Sequence, residues 1–385
     1  MASAPSTPSQ APPPRGPFDR LGNFWQRVSE GRDIDDLWSQ FAADARSSYS
    51  FYGKDVDWDE VNKLPKWKRP FRVAYQLFWA MMNKLTPARR VLLLIAIVLL
   101  GVSGIQFHSD KVNADLDFRL ISALLFLLLL SLELADKVVM KRDLEIAREI
   151  QTWLVPSDPP LITNAEVAFS TRPQNSVAGD YYDAFYPLKT AAGDGKLMLV
   201  MADVAGKSVP AALLMATLQA SLRTIASEGP PLSQLAERLN HYACEHSLGG
   251  QRFTTAVIAE FDPATRQLSY VNAGHNSPVV RRANGDIQRL ESSGLPLGIH
   301  SSATFPATQI DLQPNDTLIL FTDGVVEAFN AANEEFSDAR WINVIRSLRG
   351  LSAQATLRSL MKSVEDFVGA TRQSDDITCL VLQIK

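Results

Sequence analysis

The stretch Leu197-Met-Leu-Val-Met-Ala-Asp203-Val-Ala-Gly206-Lys207-Ser-Val-Pro210-Ala-Ala-Leu213 admits few folds. Residues 197–202 are apolar at every position and the run is short, so it reads as a strand covered on both faces. Pro210 sits in the first turn of the following segment, where its missing N–H breaks no hydrogen bond, so that segment reads as a helix. Between them stands Asp203, a carboxylate at the tip of a rigid apolar element. Desolvating such a group alone is costly, and a metal ion is one source of the counter-charge it needs.

The surrounding region, from Leu161 onward, has an α/β pattern. Strand-like runs fall at 165–171, 180–187, 196–202, 254–261, 267–273, 278–282, 287–290, 307–311, 317–321 and 377–384. Asn284-Gly285 is a hairpin turn of the kind that needs positive φ. Helical runs fall at 210–227, 232–247, 338–347 and 353–369. Strands cluster and helices cluster, which favours antiparallel sheets with helices packed outside over a doubly wound parallel sheet.

The N-terminal part has a different character. Residues 1–16 are Ala, Ser, Pro and Gln with one Arg, a tail expected to be disordered. Residues 17–84 mix aromatics and charges; 33–45 reads as a helix, and 72–84 places Tyr75, Phe78, Trp79 and Met82 at helical spacing. This segment is a helical juxtamembrane element, either a small cap or a helix lying on a membrane surface. Residues 85–136 read as a two-helix transmembrane hairpin. The first span, 91–107, carries no charge and is about 25 Å long as a helix. The second, 116–135, is complete if Asp117, Arg119 and Glu133 snorkel at its ends. Lys84, Arg89 and Arg90 precede the hairpin and Lys137, Lys141 and Arg142 follow it, so both termini and the α/β region are expected in the cytoplasm, tethered to the inner membrane. A buried soluble hairpin is the alternative. Residues 137–156 continue as a helical linker, with Val139, Ile146 and Trp153 seven apart: either a short coiled coil that pairs two copies or an amphipathic helix docked on its own domain.

The net charge of −4 gives no sign of a nucleic-acid surface. The two cysteines, Cys244 and Cys379, are far apart in apolar patterns and read as small core residues, with no structural disulfide or zinc site.

Acidic residues recur at strand ends: Asp180 after Gly179, Asp203, Asp323 in Leu320-Phe-Thr-Asp-Gly324, and Asp375-Asp376 before the last strand. Asp-Gly alone is a common turn. Four such sites in one region, without histidine or thiol partners, suit hard ions such as Mg²⁺ or Mn²⁺.

The region from about Leu144 to Lys385 resembles the SpoIIE/RsbU-type branch of the PPM phosphatases, relatives of protein phosphatase 2C. The matching pieces are Leu144-Glu-Ile-Ala-Arg-Glu-Ile-Gln151, Gly179-Asp-Tyr-Tyr-Asp183, Asp203-Val-Ala-Gly-Lys207, Asn272-Ala-Gly-His-Asn276, Gly294-Leu-Pro-Leu-Gly298, Leu320-Phe-Thr-Asp-Gly-Val-Val-Glu-Ala328 and Asp375-Asp-Ile-Thr378. The resemblance implies an α+β fold, an αββα sandwich over residues 157–385, with two Mn²⁺ or Mg²⁺ ions at one end. It implies that Asp203 bridges the ions, that Asp180 and the Val204 carbonyl bind one, that Asp323 and Asp375 bind the other, and that Asp376 assists from behind or from a looser third position. The implied reaction is hydrolysis of phosphoserine or phosphothreonine in a protein, by a water activated between the ions and without a phosphoenzyme. The substrate implied is an anti-sigma-factor antagonist of STAS type, in bacterial partner switching. A catalytically silent membrane scaffold with the same fold is the competing reading.

Three departures from the family pattern stand out: Ala178 for a first glycine, Ser208 for the glycine after Lys207, and Glu335-Phe-Ser337 for a common Phe-Gly. Ser208 either alters the turn or caps the helix holding Pro210. His275 reads as a hydrogen-bonded structural residue rather than a general acid. Lys207, Arg172 and Arg252 are candidates for phosphate contact.

Overall fold

A computed structural model describes residues 53, 56–102, 106–109, 112–115, 118–187, 195–246 and 252–385. The tail at 1–16 and the helix expected at 33–45 lie outside the described residues. Contacts divide the chain into two units, Met1–Asp136 and Lys137–Lys385.

Among its described residues, the second unit contains ten strands and five helices that follow a long helix α4 (Arg119–Leu154). In chain order they are β3 (Ala165–Arg172), β4 (Tyr181–Phe185), β5 (Leu197–Val204), α5 (Ser208–Ala226), α6 (Leu232–Glu245), β6 (Thr254–Asp262), β7 (Gln267–Ala273), β8 (Val279–Arg281), β9 (Ile287–Arg289), β10 (Thr308–Asp311), β11 (Thr317–Phe321), α7 (Asp323–Val326), α8 (Asp338–Ser347), α9 (Ala353–Val368) and β12 (Ile377–Ile384). The strands form two five-stranded antiparallel sheets, ordered β10-β7-β6-β5-β4 and β3-β12-β11-β8-β9.

The unbroken hydrophobicity of β5 follows from its place between β4 and β6 inside a stacked fold. Met198, Val200, Ala202 and Val204 face α5 and α6, among Ala211, Met215, Leu222 and Leu235. Leu197, Leu199 and Met201 face the other way, onto Leu318, Leu320, Leu380 and Leu382 of the second sheet. The outer face of that sheet carries Ile319, Phe321, Cys379 and Val381 against Trp341 and Ile345 of α8 and Leu357, Leu360 and Val364 of α9. The four layers are helix, sheet, sheet, helix, the αββα sandwich that the resemblance implies. Cys379 lies in the outer core and Cys244 is half-buried, and the two form no disulfide.

The helix α5 is also the one described helix both long and apolar enough to cross a membrane. Its Ala211, Met215, Leu218, Leu222, Ile225 and Ala226 are buried on the first sheet, so its apolar character belongs to the core. It starts from a turn in which Ser208 has φ 64°. Ser208 therefore keeps the left-handed backbone of the glycine it replaces and caps nothing, since the helix N-terminus has no side-chain cap. Ser337, at the second glycine position, behaves alike with φ 70°.

Among the described residues, the first unit holds α1 (Trp58–Lys63), α2 (Arg69–Lys84) and α3 (Pro87–Val102), followed by a two-stranded hairpin of β1 (Gln106–Ser109) and β2 (Val112–Asp115). The first apolar helix is described over Pro87–Val102, and 106–109, inside the expected span, is strand. Its 16 residues are about 24 Å long. The second apolar run begins at Arg119 and continues without a break through the linker to Leu154. The two apolar helices are antiparallel neighbours. Ser122 Oγ donates to Ala96 O at 2.8 Å in a buried contact, and Arg89 pairs with Asp136 at 2.6 Å and Glu133 at 2.9 Å. Val91, Leu94, Ile95, Val98, Leu120, Leu124, Leu127 and Leu130 are exposed on this pair.

One buried polar group joins the two sheets. His275, at the end of β7, makes a 2.8 Å contact from Nδ1 to Thr255 Oγ1 of β6 and a 3.2 Å contact from Nε2 to Phe321 O of β11. A carbonyl only accepts, so Nε2 carries the proton and Nδ1 accepts from the threonine hydroxyl. Burial lowers the His275 pKa to about 4, which keeps the ring neutral. Because the folded-state value lies below the unfolded one, this stabilisation is complete above about pH 6.5 and is lost as pH falls toward 4. Chemical denaturation of wild type and His275→Gln should show their stability difference shrinking by about 2–3 kcal/mol between pH 7 and pH 4.5. A difference that stays constant with pH would contradict this account.

Candidate metal centre

Antiparallel pairing decides where the aspartates go. Tyr181 at the start of β4 pairs with Ala202 near the end of β5, so Asp180 and Asp203 are neighbours at one edge of the first sheet. Phe321 at the end of β11 pairs with Cys379 near the start of β12, so Asp323 and Asp375-Asp376 are neighbours at one edge of the second. Stacking the sheets brings the two edges together. Asp180 Oδ2 accepts from Thr322 Oγ1 at 2.9 Å and from Thr378 Oγ1 at 2.5 Å, both on second-sheet strand ends. Asp376 Oδ1 and Oδ2 accept from the amides of Gln174 and Gly179, each at 2.6 Å.

Two glycines allow these approaches. A Cβ on Gly324 would lie 2.0 Å from Asp376 O, so no side chain fits beside Asp323. A Cβ on Gly179 would lie 3.4 Å from Val204 O and 3.8 Å from Asp203 Oδ1, which puts that carbonyl and that carboxylate directly under the loop leading to Asp180.

The electrostatics are those of crowded like charges. Burial, then repulsion from Asp323, Asp375 and Asp376, raises the Asp203 pKa to about 7. Burial and the Asp203 charge push Asp180 well above the usual carboxylate range, against the pull of the two threonine hydroxyls. Asp323 is raised by burial and by Asp375, and Asp376 mainly by burial, against its amide donors. Lys207 is the cation nearest at hand. Its Nζ donates to Asp375 Oδ2 at 3.0 Å and to Ser374 O at 2.9 Å, in an exposed pair. Among the described residues, no hydrogen bond reaches the Asp203 carboxylate, and no three His, Cys, Asp or Glu groups are drawn tightly enough to hold an ion as they stand. The donor set is nonetheless one that a divalent cation fits: hard oxygens from Asp180, Asp203, Asp323, Asp375 and the Val204 carbonyl, whose mutual repulsion a cation would relieve.

The expected residues divide into three groups. Asp180, Asp203, Asp323 and Asp375 share one edge of the sandwich, with the Val204 carbonyl beside them. Asp376 is there too, but both its oxygens hold backbone amides, which suits support from behind. Of the three basic candidates, Lys207 lies at Asp375, Arg252 Nη1 contacts Ala205 O at 3.3 Å in the turn after Asp203, and Arg172 is paired with Glu365 at 3.2 Å.

The sequence reading missed Thr322, Thr378 and Gln151. The two threonines flank the acidic motifs as Thr-Asp-Gly and Asp-Ile-Thr, and that placement was a usable signal. Gln151 had none. Near the end of α4, its Nε2 donates to Ala178 O at 2.7 Å and its Oε1 accepts from Ala178 N at 2.9 Å, clamping the peptide next to Gly179.

Comparison with known proteins agrees with this geometry. The family described as Stage II sporulation protein E (SpoIIE) matches residues 193–385, half of the chain. The chain is 26% identical over 273 residues to Protein IcfG of Synechocystis sp., covering 63% of this chain and 42% of IcfG. It is 27% identical over 250 residues to the phosphoserine phosphatase RsbU of Bacillus subtilis, covering 64% of this chain and 71% of RsbU. The chain thus spans under half the length of the first of these relatives and over two thirds of the second. In fold, it resembles the SiaA-PP2C domain of Pseudomonas aeruginosa, with a TM-score of 0.56 at 19% identity over 65% of this chain and 99% of that domain. With half of its length matched by the family model, the chain belongs to the SpoIIE family, and its sandwich has the fold of the PP2C domain it resembles.

Proposed function

We propose that this chain removes phosphate from phosphoserine or phosphothreonine of a regulatory protein of STAS type, in bacterial partner switching, while tethered to the inner membrane. The observation that carries the catalytic part is Asp203. It is placed by β5 against three second-sheet aspartates, and burial, then their charges, raises its pKa to about 7. Such a cluster is poorly suited to stand alone and well suited to a cation.

Asp180, Asp203, Asp323, Asp375 and the Val204 carbonyl would hold Mn²⁺ or Mg²⁺, two ions by the family pattern. Bound there, the ions supply a nucleophilic water at neutral pH and neutralise phosphoryl oxygens. The residues around them do the positioning. Thr322 and Thr378 fix the rotamer of Asp180, and Asp376 holds the 174–179 loop through two amides. Arg252 and Lys207 border the turn after Asp203, where an incoming phosphate anion would meet positive charge. Neither cysteine borders the aspartates, in keeping with a reaction that uses no thiol nucleophile.

The tether rests on the exposed apolar flanks of α3 and of the first half of α4, together with the basic residues Lys84, Arg89, Arg90, Lys137, Lys141 and Arg142. By that reading both termini and the sandwich face the cytoplasm. Val139, Ile146, Ile150 and Trp153 are exposed on the linker helix, which supports pairing of two copies along it.

Three outcomes test this reading. With Mn²⁺, the full chain in detergent should dephosphorylate a phosphoserine STAS protein, and Asp203→Asn should lose at least about 100-fold in kcat. Equal inactivity of both on every phosphoprotein tried would favour the silent scaffold. In metal-free buffer at pH 8, Asp203→Asn should be more stable than wild type by up to about 3 kcal/mol, because a repelled carboxylate is gone. Mn²⁺ should raise the wild-type melting temperature and leave the variant's nearly unchanged. Gln151→Ala, which frees the Ala178 peptide, should lower activity about tenfold while an aryl phosphate KM changes little; full activity would show that the clamp is idle.

A further inference from the structure

The opposite end of the second sheet holds a cavity of about 460 Å³ between the sheet and the outer helices. β11 runs from this cavity, lined by its Thr317 and Ile319, toward Asp323, so the cavity lies roughly 13–20 Å from the acidic edge. Ile319, Ile345, Leu348 and Leu351 form its apolar walls.

Arg281 does not suit a merely structural cavity. It alternates with Val280 along β8, so it shares with Val279 the face covered by α8 and α9. It is only 5% exposed, its Nε has no partner, and its guanidinium makes no hydrogen bond to any described residue. The carboxylate whose charge acts on Arg281, Asp316, is already engaged by Arg282 Nη1 at 2.6 Å and by the amides of Ala283 and Gln313 at 2.9 Å. A second cation, Arg349, also lines the cavity, and burial, then the Arg349 charge, lowers the pKa of Arg281. Glu166, the acidic residue of the lining, is paired with Lys385 at 2.9 Å and accepts from Ala353 N at 3.3 Å. The hydroxyl of Thr356, buried in the same wall, makes no hydrogen bond to a described residue. Two guanidinium groups facing one polar space without an anion of their own is an arrangement that a ligand completes. The volume is that of a small-molecule site.

We propose that this cavity binds a small organic anion, its carboxylate or phosphate paired with Arg281 and Arg349 and its apolar body against Ile345 and Leu348. The site is separate from the acidic edge and does not depend on the phosphatase reading. Phosphate and carboxylate share the chemistry that the two arginines recognise, so the test carries one probe of each.

Isothermal titration of the full chain in detergent, with EDTA present, would use phenylphosphonate and benzoate. Saturable binding of at least one probe at one site per chain is expected, and the probe that binds more tightly names the headgroup. Arg349→Ala, an exposed change, should weaken that binding at least tenfold. Arg281→Met should abolish it while keeping the fold, since an unpaired buried cation is replaced by an apolar chain of similar length. Failure of both probes to saturate, unchanged affinity in both variants, or binding that appears only with Mn²⁺ would overturn the proposal.

Discussion

Like charges crowded at one edge of the sandwich set the terms for the rest of the second unit. Asp203 is forced next to Asp323, Asp375 and Asp376, and Asp180 next to Asp203, in a region dry enough to raise their proton affinities. Nothing in the local chemistry of five aspartates favours that. The sheets impose it. The interleaf of Leu197, Leu199 and Met201 against Leu318, Leu320, Leu380 and Leu382 brings the strand ends into contact, and each fully buried side chain of this kind contributes roughly 1.5–3 kcal/mol. The repulsion is therefore held by apolar burial elsewhere, and a cation at the edge would convert it into binding energy.

Hydrogen bonds at the edge then turn proximity into geometry. Thr322 and Thr378 reach across from the second sheet to Asp180, Asp376 reaches back to the amides of the 174–179 loop, and His275 joins β6 to β11 just below. Each link runs between sheets, so a slide of one sheet over the other would break several at once. Gln151 ties the linker helix into the same set through Ala178, one residue from the Gly179 amide that Asp376 holds. A change in the packing of that helix has a short covalent and hydrogen-bonded route to Asp180. The two ends of the second sheet contrast in sign: aspartates where β11 ends, unpaired arginine where it begins.

Much of this architecture was legible in the chain. The ten strand-like runs and four longer helices of the second unit follow from period and punctuation, because buried strands and amphipathic helices leave a local signature. The four-residue helix α7 did not, being too short to show a period. The apolar content of 91–107 reads as a single helix, whereas Gln106–Ser109 is strand. Ser208 and Ser337 were read as doubtful at glycine positions, and both take the left-handed backbone all the same. The neighbouring elements set that conformation, and a serine tolerates it at a modest cost.

The sequence by itself determined which residues are strands, which carboxylates stand at their ends, and that no thiol chemistry is set up beside them. These are local properties, written in residue type and spacing. Tertiary structure alone decided that Asp376 faces amides, that Lys207 sits on Asp375, that Arg172 is taken by Glu365, and that Gln151 and Arg281 matter at all. Each of those outcomes depends on a partner many positions away in the chain, brought near only when two sheets close over a shared core.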